Sequence, residues 1–99
     1  MFRAVVYGSF EVVKYLLDSG ADPNISNSLG ETPLHQATDM CLFEITKLLL
    51  EFKADPNQIQ TDGNSPLHNA VRKNSVEIVK VLIDSGADPN LQEFLVRII

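Results

Sequence analysis

Gly30-Glu31-Thr32-Pro33-Leu34-His35-Gln36-Ala37 returns 33 residues later as Gly63-Asn64-Ser65-Pro66-Leu67-His68-Asn69-Ala70. The same step carries Asp22-Pro23-Asn24 to Asp55-Pro56-Asn57 and on to Asp88-Pro89-Asn90. It also carries Glu11 to Glu44 and Glu77, and Lys14 to Lys47 and Lys80. Residues 27–59 overlay 60–92, and 1–26 overlay 67–92, without a gap. More than a third of the positions in each overlay are identical, where chance gives roughly one in fifteen. A period of this length marks a supersecondary unit that cannot bury its apolar face alone, so neighbouring units stack to make the core.

Each unit reads as two short antiparallel helices and a loop. Thr32 can cap the first helix with its hydroxyl, and Pro33 suits a first turn in which the missing N–H has no partner to lose. Ser65-Pro66 repeats that chemistry. The first helices are expected to end near Asp39 or Met40 and near Arg72 or Lys73, with turns at Gly8, Cys41 and Asn74. Gly and Asn adopt a left-handed conformation readily, whereas Cys does not. Cys41 therefore leaves the middle unit strained or mobile, as does Lys53, which stands where the other units have Gly20 and Gly86. The second helices begin near Phe10, Phe43 and Val76, with apolar residues at helical spacing: Phe10, Val13, Leu16 and Leu17, then Val76, Val79, Leu82 and Ile83. Leu16, Leu49 and Leu82 are expected in the core. Glu11, Lys14 and Asp18 fall on the opposite, convex side, with Glu-to-Lys pairs at i,i+3.

Composition narrows the function. The 99 residues are one domain's worth of chain, 44% hydrophobic and 21% charged, which fits a packed globular core. Eight Lys+Arg against 13 Asp+Glu give a formal net charge of −5. That disfavours a nucleic-acid binder, which needs clustered positive charge. Apolar runs such as Leu48-Leu49-Leu50 are too short to span a bilayer, and Glu11 and Lys14 interrupt the resemblance of Met1–Leu17 to a signal peptide. A single cysteine, Cys41, excludes an intramolecular disulfide framework and points to an intracellular setting, cytoplasmic or nuclear.

The 33-residue length, the two Pro-Leu-His octapeptides and the closing Gly20-Ala21-Asp22, Lys53-Ala54-Asp55 and Gly86-Ala87-Asp88 together resemble the ankyrin repeat. The resemblance implies an all-α solenoid of stacked helix-turn-helix units with finger loops, over 1–92. The units are a partial repeat at 1–26 and repeats at 27–59 and 60–92. The first unit begins opposite Leu34, as in a piece of a longer array.

Little in the chain suggests chemistry. His35 and His68 with Cys41 evoke an activated thiol, yet the histidines occupy one repeated position. The resemblance implies that each ring bonds backbone and the Thr/Ser hydroxyl, tying its unit to the next. Asp22, Asp55 and Asp88, each followed by Pro-Asn, fit turns and lack the spacing of a calcium loop. The isolated glycines form no phosphate loop, and Cys41 reads as a partly buried turn residue. No catalytic, cofactor-binding or metal-ligating residue is assigned, and no enzyme is expected.

Function falls to positions that the repeat leaves free. In the fingers these are Ser28, Leu29 and Glu31, then Thr61, Asp62 and Asn64. At the ends of the first helices they are Val6 and Tyr7, Asp39 and Met40, and Arg72 and Lys73, with Gln36 and Asn69 beside them. The resemblance implies that such finger and inner-helix positions line a concave surface that grips another polypeptide. Tyr7 and Met40 offer contact of the kind interfaces favour, with Leu29 and Ile59 adding apolar surface. Glu31, Asp39 and Asp62 make an acidic middle and Arg72-Lys73 a basic end, so the expected partner is a protein or peptide segment of basic or mixed charge. The resemblance leaves other roles open: a regulatory inhibitor of an enzyme, a spacer, or a substrate-recruiting segment of a larger scaffold or ubiquitin ligase.

The pattern dissolves after Gln92. Glu93-Phe94-Leu95-Val96-Arg97-Ile98-Ile99 is an apolar tail, read either as a cap on the last unit, which solenoid ends need, or as a weak self-association surface.

Overall fold

The computed structural model describes residues 1–90. The tail reading at 93–99 lies outside them. Six helices follow in order: α1 (Phe2–Val6), α2 (Phe10–Asp18), α3 (Pro33–Asp39), α4 (Phe43–Glu51), α5 (Pro66–Arg72) and α6 (Val76–Asp84). The described residues contain no strand. Helices α1, α3 and α5 pack side by side in one layer and α2, α4 and α6 in a second, each pair joined within its unit. The stack measures 40 × 28 × 21 Å.

Local chemistry sets the boundaries. The hydroxyls of Thr32 and Ser65 accept the N–H groups of His35 and His68 at the starts of α3 and α5, and Ser9 accepts the Val12 N–H at the start of α2. Each unit then needs one left-handed residue in its inter-helix turn and another after its second helix. Gly8, Cys41 and Asn74 fill the first role at φ 68, 59 and 56°, and Gly20, Lys53 and Gly86 the second at φ 93, 72 and 99°. Cys41 and Lys53 thus take the conformation of their glycine counterparts despite a Cβ. The cost of about 1–2 kcal/mol at each is carried by the packed helices on either side.

The core is a single continuous cluster. Val5, Val13, Leu17, Leu34, Leu49, Ile78 and Leu82 are buried in it, contributed by all three units. The expected trio of Leu16, Leu49 and Leu82 needs a correction: Leu49 and Leu82 are buried, but Leu16 is half-buried. Residues at that position face the preceding unit, and no described helix lies ahead of α2 on that side. Val76 and Ile83 are likewise exposed, at the opposite end. The convex charges also pair differently from expectation. Lys14 reaches Asp18 at i,i+4, 3.0 Å away, rather than Glu11.

The Asp-Pro-Asn corners stack along one edge, and their asparagines clamp unit to unit. The Asn24 amide donates to the Lys53 carbonyl at 3.2 Å and accepts the Asp55 N–H at 2.6 Å. Asn57 repeats this on the Gly86 carbonyl at 3.0 Å and the Asp88 N–H at 2.7 Å. The aspartates serve locally, each carboxylate accepting the N–H two residues on, at Asn24, Asn57 and Asn90.

Candidate functional site

Between the second and third units the fingers and first helices enclose a polar groove of about 180 Å³. It is lined by Glu31, His35, Asp39, Gln60, Asp62, Asn64, Asn69 and Arg72. Its floor is built by His35. The Nδ1 of that ring accepts the Thr32 N–H at 3.1 Å and lies 2.9 Å from the Thr32 hydroxyl, so Nε2 carries the proton and donates to the Asn64 carbonyl at 3.1 Å. One ring therefore ties α3 to the next finger. Burial lowers its pKa below the usual 6.5, opposed by the Asn64 and Gln58 backbone and by the Glu31 and Asp62 charges, so the groove floor is neutral.

The walls hold charge in fixed positions. Arg72 donates to Asp39 at 3.0 Å across the two first helices and to the Asn69 amide oxygen at 3.2 Å. Both members of this ion pair are about half exposed, which limits its contribution to about 0–1 kcal/mol but fixes where each group points. Asp62 accepts the Asn64 N–H and side-chain amide, both at 3.0 Å. The Glu31 carboxylate accepts the Asn27 amide at 2.9 Å. Three carboxylates thus face one guanidinium around a neutral imidazole.

The structure gathers six of the residues singled out from sequence into this groove: Glu31, Asp39, Asp62, Asn64, Asn69 and Arg72. It does not bring the rest there. Ser28, Leu29 and Thr61 lie exposed on the fingers, and Gln36 is half-buried. Val6, Tyr7, Met40 and Lys73 form a separate exposed row along the ends of α1, α3 and α5, with Tyr7 82% exposed. Asn69 is buried rather than exposed, its amide held between the His35 carbonyl at 3.5 Å and Arg72. Arg72 is not a free basic end, because Asp39 engages it. Gln60 carries no sequence signal, since nothing in its repeat position marks it as facing inward.

The residues with chemical promise are otherwise engaged. His68 does not copy His35 at Nδ1: that atom is buried with no partner among the described residues, while the His68 main-chain N–H donates to the Ser65 hydroxyl. Cys41 is exposed rather than partly buried, and its sulfur accepts the Ser75 hydroxyl at 3.1 Å. No group of three or more His, Cys, Asp or Glu able to hold a metal occurs among the described residues.

The stacked helix pairs agree with what the chain is similar to. The family model described as ankyrin repeats, in three copies, matches residues 1–93. An ankyrin repeat protein of Acanthamoeba polyphaga mimivirus is 61% identical over 28 residues, a stretch that covers 28% of this chain and 22% of that protein. The match thus spans about a fifth of that relative's length. The chain belongs to the ankyrin repeat family, whose members are generally non-catalytic modules that bind other proteins.

Proposed function

We propose that the chain is a non-catalytic interaction module that holds an extended polypeptide segment of basic or mixed charge along its concave face. The groove between the second and third units carries this reading: Glu31, Asp39 and Asp62 outnumber Arg72 around a neutral His35. A lysine or arginine entering there meets carboxylates already oriented by Asn27, Asn64 and Arg72. The exposed row of Tyr7, Met40 and Lys73, with Leu29 and Ile59 on the fingers, offers apolar and aromatic contact beside the charged groove.

Such a segment gains orientation and on-rate from charge more than raw affinity. The test is fluorescence anisotropy with extended decapeptides that share apolar residues and differ only in charge pattern. Basic and mixed-charge peptides are expected to bind more tightly than acidic ones, with affinity falling as salt rises. Asp39→Lys with Asp62→Lys should weaken them roughly tenfold or more and flatten the salt dependence, as for two charge contacts of about 1 kcal/mol each. Equal binding of acidic and basic peptides, or unchanged affinity in the double variant, would overturn the reading.

A further inference from the structure

The first helices end in rungs that step by one repeat. Val6 and Tyr7 close α1, Asp39 and Met40 close α3, and Arg72 and Lys73 close α5, and all six side chains are exposed. The three helices lie side by side, and the 3.0 Å contact from Arg72 to Asp39 spans one rung to the next. Helices packed in this way place equivalent positions about 8–10 Å apart.

Each rung carries a different chemistry. The first is apolar and aromatic, with Tyr7 the most exposed of its large apolar side chains. The second sets Met40 beside Asp39, at the edge of the groove that also holds Glu31 and Asp62. The third is basic: Asp39 engages Arg72, whereas Lys73 makes no ion pair among the described residues. A ligand that complements all three presents an apolar, a basic and an acidic side chain, in that order, at the rung spacing.

That spacing discriminates between extended conformations. A β-strand returns a side chain to the same face every second residue, about 6.7 Å on. Over two rungs it falls about 3–7 Å short. A polyproline II helix returns to the same face every third residue, about 9.3 Å on, and two turns of about 18.6 Å match two rungs of about 16–20 Å. A strand would also need an open sheet edge to pair its backbone, and the described residues contain no strand. Polyproline II keeps its backbone in water, without internal hydrogen bonds, so side-chain contacts suffice.

Building on the concave-face reading above, we propose that the segment held there is a polyproline II helix bearing apolar, basic and acidic side chains at every third residue, one for each repeat unit. The apolar side chain meets Val6 and Tyr7. The basic one lays its aliphatic stem on Met40 and its charge among Asp39, Asp62 and Glu31. The acidic one pairs with Lys73. Proline at the intervening positions fixes this conformation before binding and so lowers the ordering cost.

The test is isothermal titration of the full chain with nonapeptides of one composition. Leucine, arginine and glutamate stand two, three or four residues apart, in both chain directions, with alanine or proline between them. The three-residue spacing, in one direction, should bind about fivefold or more tighter than the other two. Proline spacers should bind about threefold tighter than alanine. Lys73→Glu should reverse the preference for glutamate over lysine at the third contact, and Tyr7→Ser should abolish the preference for leucine at the first. Affinity that ignores spacing, peaks at two residues or falls with proline would overturn the proposal and leave the charge-based reading standing, as would unchanged preferences in the two variants. No binding by any peptide would overturn both.

Discussion

His35 holds the second and third units together with one imidazole, and its protonation state decides whether it can. Nδ1 must accept from the Thr32 N–H while Nε2 donates to the Asn64 carbonyl. A proton on Nδ1 would set two donors against each other. Burial, the largest influence on this ring, lowers its pKa from 6.5. The unfolded chain therefore takes up a proton before the folded one does. Stability from His35 is complete above pH 6.5 and falls as pH drops from there toward the lowered folded value. Urea unfolding followed from about pH 7.5 to 5 should show this decline, and His35→Gln should flatten that part of the profile while lowering stability at the upper end. A wild-type profile flat across the window would refute the assignment. At His68, by contrast, the ring Nδ1 that in His35 accepts from the capping residue is buried with no partner among the described residues.

Helix α4 carries an internal mismatch that its neighbours lack. Thr46 occupies the position of Val13 in α2 and Val79 in α6, is 0% exposed, and its hydroxyl finds no partner. A buried unsatisfied hydroxyl costs about 1–3 kcal/mol. Valine has nearly the same shape and is already the residue of the flanking units. Thr46→Val should therefore raise stability by about 1–2 kcal/mol, read as a higher urea midpoint at unchanged slope; a lower midpoint would mean the hydroxyl has a partner. Most element boundaries are legible in the sequence alone. Thr32-Pro33 and Ser65-Pro66 mark where α3 and α5 start, and Phe10, Phe43 and Val76 where α2, α4 and α6 start. The conformations of Cys41 and Lys53 are not: intrinsic preference argues against φ of 59 and 72°, and the helices packed on both sides impose them.

The whole molecule is held by close approach between units, and Gly30 sits where two fingers come close. Its φ of +76° already favours glycine, and a Cβ there would lie 3.2 Å from both the Gln60 Cα and the Thr61 nitrogen of the next finger. Both are backbone atoms, which cannot swing aside. Gly30→Ala should lose about 1–2 kcal/mol from the left-handed conformation alone, with a further loss as the Thr61-to-Leu29 bond of 3.0 Å is forced apart. A matched drop in urea midpoint and in Thr61 amide protection would confirm that the loss is between units rather than within one.

The 33-residue register alone determined that helix pairs repeat, where they begin and which faces are apolar, because each of those depends on neighbours in sequence. It also singled out most of the groove, since Glu31, Asp39, Asp62 and Arg72 are charged positions at which the two full repeats differ. The stacked structure decided what those positions do. Arg72 is taken up by Asp39, Asn69 is drawn inward, Gln60 enters the groove, and the Asp-Pro-Asn asparagines become clamps. Each of these contacts joins residues about one repeat apart, and a bond whose two halves lie in different units has no signature in either one.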